Sequence, residues 1–196
     1  HLITGYGVDD RVTQLMNQVE FFVIVVVNPD GYQFSWDLDR FWRKNRRINS
    51  DQTMGVDLNR NWALGWGGGG SSPDPSSEIY HGTGPFSEPE SAALRDVYTA
   101  HPNIVASIDF HSYSQLVLYP WAYQAGVPDD GGVHVSIGAA MADAIFEVHN
   151  QAYQPGGVFD ILYQASGGSV DWTWGDQGVI SYTIELRDNG QYGFDL

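Results

Sequence analysis

Phe21 to Val27 is an uninterrupted run of aromatic and aliphatic residues, preceded by Glu20 and closed by Asn28-Pro-Asp-Gly31. β-Branched side chains are stiff at χ1 and pack well on a pleated surface, so the run predicts a strand. Its lack of alternation with polar residues predicts burial on both faces, the condition of a mostly parallel sheet covered by helices. Asn-Pro-Asp-Gly reads as a turn. Residues 104–110 (IVASIDF) and 178–186 (GVISYTIEL) are two more short strand candidates, and at their ends stand His111 and Glu185.

Ser87-Glu-Pro-Glu90 has capping-box spacing with proline in the first turn, which predicts a helix running on through SAALRDVYTAH, and a second helix is predicted over Val133 to Asn150. Strands alternating with helices predict an α/β fold, a mixed, mostly parallel sheet with helices on both faces and ligands outside the carboxyl ends of its strands. No internal repeat or composition break divides residues 1–196, so one domain is expected. Residues 65–77 (GWGGGGSSPDPSS) lack the Lys-Ser/Thr of a phosphate-binding loop and read as a flexible connection.

With a net charge of −15, the chain repels phosphate backbones and anionic membrane surfaces, so neither nucleic acid nor membrane is an expected partner. Five of its nine basic residues fall between Arg40 and Arg47, a concentration that serves a carboxylate or offsets the acidic surface. There is no cysteine, hence no thiolate ligand or nucleophile. No apolar run approaches the ~20 residues that span a bilayer.

A histidine at a strand end is as often a structural hydrogen-bonding residue as a ligand. His111 gains weight because Glu185 closes another candidate strand, so that one can hold a metal while the other acts as general base. Taken alone, Glu185 reads as an ion pair with Arg187. Gly55-Val-Asp-Leu-Asn-Arg-Asn-Trp62, with Arg43 upstream, groups amides and guanidinium as needed to bind a carboxylate, or as found in an ordinary polar turn.

The blocks N-P-D-G at 28–31, R-F-W-R-K at 40–44, G-V-D-L-N-R-N-W at 55–62, Y-H-G at 80–82, H-S-Y-S-Q at 111–115, Y-Q-A-S-G-G-S at 163–169, D-W at 171–172 and E-L-R-D at 185–188 resemble the zinc metallocarboxypeptidase family, most closely its pancreatic A/B-type branch. The resemblance spans nearly the whole chain in order. It implies a zinc-dependent exopeptidase that removes C-terminal residues from peptides and is secreted. It implies that His111 is a zinc ligand, that Glu185 shuttles the proton of the attacking water to the leaving amine, and that Arg43 stabilises the oxyanion. Asn59, Arg60 and Tyr163 would grip the substrate's terminal carboxylate. Val170 would form the base of the side-chain pocket, where an apolar residue implies preference for hydrophobic or aromatic ends. Leu118, Ala122, Val158 and Leu162 would line that pocket, and Tyr113 and Phe194 would contact the preceding substrate residue. Asp109 departs from the A-type pattern of a small polar residue and would add negative charge near the pocket.

The resemblance also implies two zinc ligands from an H-x-x-E motif, and none of the six histidines is followed three places later by glutamate. The chain therefore reads as a fragment of the catalytic domain, truncated at both ends, that supplies one of three expected zinc ligands and lacks substantial activity by itself. Asp57 matches the residue that orients the first absent histidine, so it reads as a support whose partner is missing. The alternative is a non-catalytic module that binds peptide C-termini; retention of Glu185 argues against it, since binding needs no base.

Overall fold

Leu116-Val-Leu-Tyr119, too short a run to stand out in the sequence, is the most deeply buried strand, with every residue under 9% exposed. The computed structural model describes residues 1–129 and 131–187. Their elements are α1 (Leu2–Gly5), α2 (Asp10–Gln18), α3 (Pro29–Asp37), a 3-10 turn (Leu58–Arg60), α4 (Pro89–Ala100), β1 (Ala106–Ser112), β2 (Leu116–Tyr119), α5 (Val133–His149), β3 (Gln154–Gly157), α6 (Val158–Ile161), α7 (Ser169–Gly175) and β4 (Ile180–Leu186).

The strands form one sheet in the order β1-β4-β2-β3. β1 pairs with β4 and β2 with β3 in parallel, while β2 and β4 run antiparallel, so the expected mixed, mostly parallel sheet is present. Because successive side chains on a strand point to opposite faces, β2 feeds two cores. Leu116 and Leu118 pack with Ala122, Val158, Ala165 and Val170 on the side carrying α6 and α7. Val117 and Tyr119 pack with Ala142 of α5, Tyr153, Tyr182 and Ile184 on the other. Full burial of a side chain such as Leu118 is worth about 1.5–3 kcal/mol.

Both candidate strands at 104–110 and 178–186 and both candidate helices are found, with ends shifted by a few residues. The expected strand at 20–27 is not. Its backbone pairs with no described strand, and Val23 and Val25 are 75% and 88% exposed. A strand exists only through a partner's hydrogen bonds; side-chain composition expresses a preference for extended, buried backbone and cannot supply the neighbour. Phe22 instead lies 4.5 Å from the His101 ring, and Asn103 Nδ2 donates to Glu20 Oε2 at 3.4 Å.

Asn28-Pro-Asp-Gly31 opens a helix rather than closing a turn. Asn28 Oδ1 accepts from Gly31 N at 3.0 Å and Pro29 stands in the first turn of α3, the local chemistry an N-terminus shares with a turn. Gly31 is required there, because a Cβ would sit 2.6 Å from the Lys44 carbonyl oxygen. The capping box of α4 is also absent. The cap residue is Glu88, with no side-chain cap bond, since its carboxylate is buried against Asn45, Arg47 and Ser87. The glycine-rich 65–77 stretch is pinned rather than loose. Gly69 O accepts from Ser166 N at 3.1 Å and Gly70 O from Arg60 Nε at 2.7 Å.

Ile184→Ala is expected to lower the unfolding free energy by about 2–5 kcal/mol in urea titrations, whereas Val105→Ala, at a position 73% exposed, is expected to change it by less than about 0.5 kcal/mol.

Candidate active site

The parallel register of β1 and β4 sets His111 directly opposite Glu185 at the carboxyl ends of both strands. His111 Nδ1 lies 3.5 Å from Glu185 Oε1, and His111 Nε2 donates to Asp109 Oδ2 at 3.0 Å. Asp109 and His111 share one face of β1 because they are two residues apart. Burial works against charge on the imidazole, but the hydrogen bonds and fields of Asp109 and Glu185 outweigh it and raise the His111 pKa to about 10. Burial likewise opposes charge on Asp109, and the bonds from His111 and Ser169 hold its carboxyl below the ordinary value. Glu185 is thus paired with His111, while Arg187 turns away to His149 Nδ1, 2.9 Å from its Nη2.

A second group is built on the 3-10 turn. Asp57 caps it by accepting from Asn59 N at 3.1 Å, and its other oxygen accepts from Arg43 Nη2 at 2.8 Å. Arg60 Nη1 lies 3.9 Å from that same oxygen. Asp57 therefore has partners among the described residues, Arg43 above all, and no histidine is among them. The field of Asp57 is the main reason that the Arg43 pKa is raised, with Tyr163 adding to it. Arg43 keeps 44% of its side chain exposed, but Arg60 keeps only 3%. Arg60 spends Nε on Gly70 O and Nη1 on Asn59 O, both at 2.7 Å, so Nη2 is its remaining terminal nitrogen. Tyr163 is about half exposed.

Ser169, the first residue of α7, joins the two groups. Asn59 Oδ1 accepts from Ser169 N at 3.0 Å, and the Ser169 hydroxyl lies 3.1 Å from Asp109 Oδ2 and 3.3 Å from Asn59 Oδ1. The next residue, Val170, is buried among Leu118, Ala122 and Val158. Four of the expected pocket residues thus fall in one apolar cluster, and Leu162 lies outside it at 36% exposure. Beneath them Asp171 is fully buried and accepts from Ala122 N at 2.8 and 3.0 Å and from Tyr123 N at 2.9 Å. Tyr113 follows β1 and is half-buried. Phe194 lies outside the described residues.

A family profile described as zinc carboxypeptidase matches residues 1–196. The chain belongs to the zinc carboxypeptidase family. It is 41% identical over 197 residues to carboxypeptidase A2 of Mus musculus, covering 100% of this chain and 47% of the relative. It is 42% identical over 186 residues to carboxypeptidase B of Astacus astacus, covering 93% and 61%. The crystal structure of thrombin-activatable fibrinolysis inhibitor superposes with a TM-score of 0.92 at 40% identity, covering 98% of this chain and 49% of that one. The chain spans roughly half the length of these vertebrate relatives.

The family implies zinc, and catalytic zinc sites take three protein ligands. Among the described residues no three His, Cys, Asp or Glu side chains form a metal-binding group. His111 offers one imidazole, with both nitrogens facing carboxylates. The described residues by themselves do not fit a zinc carboxypeptidase's full ligand set.

Two residues of this site carry roles that the sequence did not reveal. Ser169 and Asp171 fall inside the Y-Q-A-S-G-G-S and D-W blocks, yet serine and aspartate flanking an apolar residue carry no local signal; their work is done across 110 and 49 residues of chain. Burial dominates at Asp171 and pushes its pKa up to about 6 despite the backbone donors. A folded-state value above the unfolded one near 3.9 means that protonation favours the fold, so the contribution of Asp171 is greatest at low pH and is lost as pH rises through about 6. The stability of the protein relative to its Asp171→Asn variant is expected to fall by about 2 kcal/mol from pH 4 to pH 7 in urea titrations. A pH-independent difference would contradict this assignment.

Proposed function

We propose that this chain carries the base, the oxyanion-facing arginine and the substrate-gripping part of a zinc-dependent exopeptidase that removes a C-terminal hydrophobic or aromatic residue from peptides. One observation carries the reading: the His111–Glu185 pair and the apolar Leu118–Ala122–Val158–Val170 cluster are tied together through Ser169 and Asp109. Glu185, largely buried beside His111, takes the proton of the attacking water and passes it to the leaving amine, general acid–base work suited to a fixed carboxylate. Arg43, held by Asp57 and still partly exposed, stabilises the oxyanion. Asn59, Arg60 and Tyr163 hold the terminal carboxylate, which restricts cleavage to that end. Tyr113 and Phe194 contact the residue before the one released. His111 would supply one neutral imidazole to the family's zinc when that ion is bound.

Val170 at the base of the cluster supports release of apolar side chains, because a buried valine offers no counter-charge to lysine or arginine. Asp109 does not change this preference. Its Oδ2 is engaged by His111 and Ser169, groups of the site itself. The intact protein is proposed to be secreted; among the described residues no helix is long and apolar enough to cross a membrane.

The test is C-terminal release by the intact protein from otherwise identical peptides ending in Phe, Lys or Phe-amide. Preferential cleavage of the Phe acid is expected; equal rates on Phe and Lys would sink the apolar preference, and equal cleavage of the amide would sink the carboxylate grip. Glu185→Gln should lower kcat by about 10²–10⁴-fold and Arg43→Ala by about 10²–10³-fold, while Val170→Asp should shift the preference toward Lys ends.

A further inference from the structure

We propose that Asp109 is a positioning residue that couples His111 to the carboxylate-holding side of the site. The inference rests on the exopeptidase reading above for what is coupled, and on hydrogen bonds alone for the coupling itself. Asp109 Oδ2 accepts from His111 Nε2 at 3.0 Å and lies 3.1 Å from the Ser169 hydroxyl. Ser169 in turn gives its backbone N–H, at 3.0 Å, to Asn59 Oδ1. Asp109 Oδ2 therefore joins β1 to the start of α7, and Ser169 carries the connection on to the 3-10 turn through Asn59.

A carboxylate accepts and does not donate, so this contact places an N–H on Nε2 and turns Nδ1 toward Glu185. Carboxylate partners of this kind set the ring orientation of a metal-ligating histidine, and their loss typically costs 10–100-fold in metal affinity or activity. A shorter side chain at position 109 cannot reach both the ring and the Ser169 hydroxyl. On the other side, Asn59 Oδ1 is fixed by the Ser169 backbone N–H at 3.0 Å, which leaves its amide nitrogen oriented for a ligand, while the single Ser169 hydroxyl proton goes to Asp109. Movement of Ser169 would thus disturb the imidazole and the amide together.

The experiment uses the intact protein labelled with ¹⁵N at histidine, with Asp109→Ser, Asp109→Asn, Ser169→Ala and the Asp109→Ser/Ser169→Ala pair. Asp109→Ser removes the long acceptor; it is expected to abolish the hydrogen-bonded Nε2–H signal of His111 and to lower kcat/KM by roughly 10–100-fold. Asp109→Asn restores an acceptor oxygen and is expected to recover the signal and most of the rate. Ser169→Ala keeps the backbone N–H on Asn59 and removes only the hydroxyl on Asp109, so it is expected to lower kcat/KM less than Asp109→Ser does, and the double variant to lose less than the product of the single losses. An unchanged Nε2–H signal in Asp109→Ser, kinetic constants within twofold of the parent, or multiplicative losses in the double variant would overturn the proposal. The ¹⁵N signal needs no turnover. A protein that cleaves no peptide would therefore overturn the exopeptidase reading while the coupling stands or falls on the imidazole signal alone.

Discussion

Everything at this site depends on the register between β1 and β4. Seven consecutive rungs run from Ala106 opposite Ile180 to Ser112 opposite Leu186, and the sixth joins His111 to Glu185. A slip of one residue would turn every side chain of one strand to the other face. What prevents it is not the polar pair. Tyr182 and Ile184 of β4 are buried with α5 and β2 on one side, which forces Glu185, between them and the strand end, to the opposite side. The apolar core thus sets where the carboxylate points, and β2, buried on both faces, locks β4 in place.

The half of the site built on the 3-10 turn rests on polar rather than apolar burial. Asn61 is fully buried, its Nδ2 lies 2.9–3.0 Å from His81 O, Gly84 O and Ser87 Oγ, and its Oδ1 accepts from Ser91 Oγ at 2.6 Å. Asn45 donates to Glu88 and accepts from Val56 N. Such groups are costly to bury unpaired and rigid once satisfied. They also account for the basic cluster at 40–47. Lys44 is buried and donates to Pro75 O and Ser77 O, Arg47 binds Glu88 at 2.6 Å, and Arg46 stacks over Phe34 and Trp42. Most of that positive charge fastens loops, and Arg43 is the member directed to the site.

The legibility of the chain follows the range of the interactions involved. Helices α4 and α5 and strands β1 and β4 announce themselves through local periodicity and flanking breakers, and their ends point to His111 and Glu185. The site residues of the 3-10 turn are legible as a cluster because they are adjacent in sequence. Strand β2 is not, since four apolar residues carry no usable period. The 20–27 segment misleads for the opposite reason: its composition is emphatic, yet strand formation is a property of a pair. Ser169 and Asp171 are invisible because their partners lie far along the chain and are backbone groups or short polar side chains of ordinary kind.

One electrostatic feature links these observations. Each arginine of the site is paired internally: Arg43 with Asp57, and Arg60 close to the same carboxylate. In a chain of net charge −15, unpaired cations would be free to swing toward the many surface carboxylates. Internal pairing holds them charged and oriented before any ligand arrives, at some loss of attraction for an incoming anion. Stabilisation of developing charge depends on donors that need not reorganise. The arrangement therefore favours orientation over raw attraction, and Asp57, buried and shared by two arginines, is the carboxylate on which that balance turns.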